Sequence, residues 1–182
     1  MAAMIGNDMT DVRDLEPLSK RLNAATDELN AALESIQDKI NDLALGVEIW
    51  LDGTNDELTR SFGDEWTEVD GEPVRRWNED DAARFFRLIE AQELGYGRLS
   101  DGWALLVRTV RYREERYAAG WGLPDGFGGS VESERKPLLR CSRQLRVHAV
   151  DRIPKLIEQL HREASRVIDA VEKAKQIAET LK

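Results

Sequence analysis

Three patterns predict an α+β fold for this chain, with a small antiparallel β-sheet of three to five strands inserted between two long antiparallel N- and C-terminal helices. From Leu15 to Val47, apolar residues recur in steps of three and four, the spacing of one helix face. The same steps return at Leu160, Ala164, Val167, Val171, Ala174, Ala178 and Leu181. Between these runs the period falls to two and Asp-Gly pairs punctuate it, as in strands joined by tight turns.

Residues 1–13 are small and polar, with Gly6 and Asn7 breaking any pattern, and read as a flexible terminus. Residues 14–182 read as a single domain: a helix over 15–45, a strand, hairpin and short-helix segment over 46–136, and helices over 138–181. The equal helical runs 15–43 and 153–181 would each extend about 43 Å. Alanines at 25, 32, 164, 174 and 178 would let two such helices approach closely as an antiparallel pair. A seam so rich in alanine buries little apolar area, and burial is worth only about 25 cal/mol per Å². The helices are therefore expected to dock on the sheet or to self-associate, and Leu29, Ile36, Leu43, Leu160, Val167 and Val171 are the candidate oligomer seam.

In the middle segment, Val47, Ile49 and Leu51 alternate with Glu48 and Trp50 as in a half-exposed strand. Residues 66–69 and 74–77 flank Asp70-Gly71-Glu72-Pro73 as a short hairpin. Asn78 followed by Glu79, Asp80 and Asp81 resembles a helix start, so 79–93 is predicted as a short helix that buries Ala82, Phe85, Phe86 and Ile89. A second hairpin is predicted over 96–112, turning at Asp101-Gly102, with its second strand becoming charged past Arg108. A glycine-rich loop (119–130) and an edge strand (131–136) follow. Pro137 then sits where a helix can begin, with Leu138, Cys141, Leu145 and either Ala149 or His148 inside, and Pro154 should interrupt it.

The composition is that of a soluble protein, 41% hydrophobic and 34% charged, without a run apolar enough to span a membrane or a signal-peptide pattern. A cytoplasmic location without membrane contact is expected. Cys141 is the only cysteine, so no intrachain disulfide or cysteine-rich metal site can form. Cys141 and His148 lie about 10 Å apart along a helix, too far for a nucleophile and its base. His148 and His161 have no zincin-like spacing, and the glycine-rich loop lacks the lysine and hydroxyl that follow in nucleotide-binding loops. No catalytic residue, cofactor or metal is predicted, and the balance leans away from an enzyme.

Charge is distributed unevenly. Residues 1–46 carry −5, 47–97 carry −9, 98–155 carry +5 and 156–182 carry 0, which sum to the net −9. Arg108, Arg111, Arg140, Arg143 and Arg146 are the candidate anion- or partner-binding residues, because guanidinium donates two parallel hydrogen bonds to carboxylate or phosphate. The simpler alternative is that the acidic and basic segments neutralise each other within the fold. The expected function is a non-enzymatic protein–protein interaction or scaffold protein that oligomerises, as a homodimer, through its long helices. The alternative is an anion or nucleic-acid binding module over 108–152. An acidic protein is the preferred outside partner, since a pI near 4.9 disfavours nucleic acid.

Overall fold

The protein is described here by a computed structural model covering residues 15–52, 56–69, 72–75, 84–100, 102–117, 120–123, 129–132 and 134–180. At 63–69, 72–75, 84, 85, 117 and 121 the description is of backbone only. The expected flexible terminus at 1–13 and the helix cap at 78–81 lie outside the described residues.

The layout is helix, sheet, helix. Helix α1 (Leu15–Asp42) leads into the strands β1 (Ile49–Trp50), β2 (Thr59–Val69), β3 (Glu72–Arg75), β4 (Arg84–Leu99), β5 (Gly102–Tyr117), β6 (Gly120–Gly122), β7 (Val131–Glu132) and β8 (Lys136–Pro137). A 3-10 turn over Leu138–Arg140, helix α2 (Arg143–Val150) and helix α3 (Ile153–Thr180) complete the chain. The strands form one antiparallel sheet in the order β3-β2-β4-β5-β6, with β1 added to β4 and β7 and β8 added to β5. The eight described strands exceed the expected three to five, although three of them are only two residues long.

The largest departure is the predicted helix over 79–93. Residues 84–99 are instead a 16-residue strand, paired in unbroken register with β5 from Phe86↔Glu115 to Leu99↔Gly102. The ladder closes at Leu99↔Gly102, so Gly102, expected in the turn, opens β5, and it takes φ +131°, a region open mainly to glycine. Residues 59–64 belong to β2, which bulges between Phe62 and Glu65.

The helices sit on one face of the sheet. Tyr96, Leu94, Leu105 and Val107 point to that face and join Ile49, Leu51, Leu33, Ile40, Leu138, Ala149, Ile153, Leu156 and Leu160 in the main core. Ile89, Ala91 and Val110 alternate to the other face as a second, smaller cluster. Ser142 caps α2 by accepting from Leu145 N–H at 3.4 Å. Pro154 falls in the first turn of α3, where a missing N–H costs nothing. The chain breaks just before it, as expected.

The two long helices are not an antiparallel pair. Gln37 accepts from Leu105 N–H at 3.0 Å and Asn41, one turn on, donates to Trp103 O at 3.2 Å, so α1 advances toward the β4–β5 turn. Lys155 contacts Asp56, and Gln159, one turn on, donates to Trp50 O at 3.2 Å, while Trp50 pairs with Gly95 and Leu58 bonds to Gln92. So α3 advances toward the same turn. Helix α1 rests on β5 and the 3-10 turn, α3 on β1 and β4, and contact between the two is at most marginal. Sheet docking, and not an alanine seam, supplies the missing burial.

Candidate functional site

The charged residues of β4 and β5 are organised by register. Arg87 lies opposite Glu114, Glu90 opposite Arg111 and Glu93 opposite Arg108, and each of these pairs is an ion pair of 2.7–2.8 Å. Opposite charges directly across an antiparallel pair stabilise it, so these segments tolerate their charge density. Residues 87 and 93 share the face away from the helices, whereas 90 faces the helix side, beyond the helices' reach.

On the outer face two networks form. In one, Arg60 bridges Glu57 at 2.6 Å and Glu114 at 3.7 Å and donates to the Tyr112 hydroxyl at 2.7 Å, which donates to Glu57 at 2.9 Å. Burial and that carboxylate raise the Tyr112 phenol far above its ordinary value. Arg87 completes the network over the Phe62 ring, at 4.3 Å.

In the other, the Trp50 indole lies across Gly95, where a Cβ would collide with the ring. Arg108 and Arg135 stack against the ring at 4.5 and 5.1 Å from its centroid, and Trp50 Nε1 donates to Glu48 at 3.1 Å. Such cation–π contacts strengthen as they are desolvated. Arg135 binds Glu48 and Glu132, both at 2.6 Å, while Arg108 spans Glu93 and Glu132. Burial raises the Glu93 carboxyl above its ordinary value despite Arg108, whereas the Arg135 hydrogen bond lowers Glu132.

The five candidate arginines are therefore not brought together. Arg108 is on the outer face, held by Glu93 and Glu132, and Arg111 is on the other face, held by Glu90. Arg143 donates to Asn23 of α1 at 2.9 Å and Arg146 to the Leu139 carbonyl at 3.0 Å. Arg140 is exposed and has no partner among the described residues. The acidic and basic segments meet within the fold: Arg108–Glu93, Arg111–Glu90, Arg135–Glu48 and Lys155–Asp56 each join a cation of 98–155 to an anion of 47–97. The Trp50 cluster was not singled out from the sequence. Counting outward from the expected Asp101-Gly102 turn sets Arg87 opposite Arg116 and Glu93 opposite Val110; the three opposite-charge pairs align only in the observed register, which closes at Leu99↔Gly102.

The candidate seam divides in two. Leu160 is buried in the core, with Leu29 and Ile36 half-buried against it. Val167 and Val171 are about half exposed, at 52% and 49%, and Leu43 more so, at 66%. Both helices overhang the sheet. Leu15, Leu18 and Leu22 continue the face of α1 that buries Leu33 and Ile40, and Val167, Val171, Ala174 and Ala178 continue the face of α3 that buries Leu156 and Leu160. Since the helices run in the same sense, the overhangs project from opposite ends of the molecule.

Cys141 is buried beneath Pro137 O, and burial raises its thiol above the ordinary value. His148 Nδ1 lies 3.0 Å from the Leu58 carbonyl. Among the described residues no cluster could hold a metal ion, and no helix is long and apolar enough to cross a membrane. Comparison with family models, with curated proteins and with solved structures finds no match.

Proposed function

We propose that this chain is a non-enzymatic protein–protein interaction or scaffold protein that self-associates, as a dimer, through its long helices. The observation that supports this reading is the α3 overhang. Every residue from 166 to 180 is exposed, yet Val167, Ile168, Val171 and Ile177 are apolar and near half exposure. Val167 and Val171, four residues apart, share one face of the helix with Ala174 and Ala178, and exposed apolar surface of that kind marks an interaction site.

Light scattering or sedimentation of the full chain over a concentration series tests the proposal. A concentration-dependent dimer is expected, and replacement of Val167 and Val171 by Asp returns it to monomer. A strict monomer up to about 100 micromolar sinks the reading. The anion-binding alternative has less support, because Arg108 and Arg111 already hold carboxylates. Its signature would be affinity for a polyanion that falls steeply with salt.

A further inference from the structure

We infer that the occupant of the α3 overhang is the α3 overhang of a second copy, running antiparallel and meeting it stripe to stripe about a two-fold axis near Val171. This deepens the dimer reading above and rests on it. The apolar stripe of the overhang is the same helix face that docks on the sheet at Leu156 and Leu160. A partner helix on that stripe must therefore lie in the layer that the sheet occupies further back. A parallel partner would bring its own sheet to the same end and into the same space as the first. An antiparallel partner carries its body to the far end, and the stretch 166–180, exposed throughout and about 23 Å long, lies between the bodies.

Charge permits the contact. The stretch 161–180 carries Arg162, Arg166, Lys173 and Lys175 against Glu163, Asp169, Glu172 and Glu179, a net of zero in a chain of net −9. Two copies can meet there without the repulsion that their remaining surfaces would impose. The arrangement is also closed. Pairing α3 with the partner's α1 overhang, which projects from the other end, would leave one of each unmatched and propagate into a filament.

Cysteine cross-linking tests it. Cys141 is the only native cysteine and is buried, so the background is low. Ala164→Cys and Ala178→Cys chains are treated with a short bismaleimide, separately and after mixing, with the unsubstituted chain as control. The mixture is expected to cross-link to dimer and each variant alone is not, since the two copies of either site would lie about 20 Å apart along the axis. Cross-linking of each variant alone would mean a parallel pair and overturn the inference while leaving the dimer reading intact. So would a dimer by light scattering that cross-links in neither experiment. A monomer by light scattering would overturn both.

Discussion

A methyl group added at Gly95 has no room, because the Trp50 ring and the Ile49 carbonyl already occupy the position of its Cβ. Gly95→Ala must push Trp50 out from between Arg108 and Arg135. A loss of about 1–3 kcal/mol is expected from overpacking, measured by urea unfolding. Gly97→Ala meets only the flexible Glu48 carboxylate and should cost clearly less. Two glutamates on Arg108 make opposite contributions to pH dependence. Glu93, raised by burial, binds its proton more tightly in the folded state, so its contribution is full below the unfolded value near 4.5 and is lost as pH rises through the folded value. Glu132, lowered by Arg135, contributes above the unfolded value and loses that contribution as pH falls through the folded one. Unfolding free energies of Glu93→Gln and the unsubstituted chain across acidic pH should diverge with the first sign: the variant gains relative stability as pH rises above about 4.5. An unchanged difference would mean that Glu93 is not buried as described.

At the scale of elements, the two halves of each long helix should respond differently to the same change. Leu33→Ala removes a side chain that is 1% exposed and should cost about 2–5 kcal/mol. Val167→Ala lies on the overhang and should shift monomer stability by less than about 0.5 kcal/mol, measured by urea unfolding below the dimer's dissociation constant. Both helices were legible from their apolar steps, because one uninterrupted stripe runs through docked and free halves alike. What periodicity could not show is where docking stops, since Leu22 and Leu29 sit on the same face and only the extent of the sheet separates them. The misread strand β4 has a different cause. Phe85, Phe86 and Ile89 satisfy a helical step, and the three acidic residues after Asn78 read as a cap in the sequence. The charges that argue against a strand, Arg87, Glu90 and Glu93, become favourable only when β5 supplies Glu114, Arg111 and Arg108 across the ladder. That information is non-local, and it depends on a register that differs from the one the Asp101-Gly102 turn predicts.

For the whole molecule, the acidic and basic segments that looked like a binding island are folded against each other. A chain ending after Arg162 should therefore keep its urea midpoint at low concentration and lose only its concentration dependence, as read by sedimentation. Loss of folding in that truncation would mean that the overhang contributes to the core. The interleaved arginines and glutamates of the outer sheet face also change what binding there would mean. Arg60, Arg87, Arg108 and Arg135 each hold a carboxylate at 2.6–2.8 Å. An incoming anion at those positions would have to displace a tethered ligand already present at high effective concentration. Recognition on that face would be a substitution reaction, with selectivity set by what can outcompete a neighbouring glutamate.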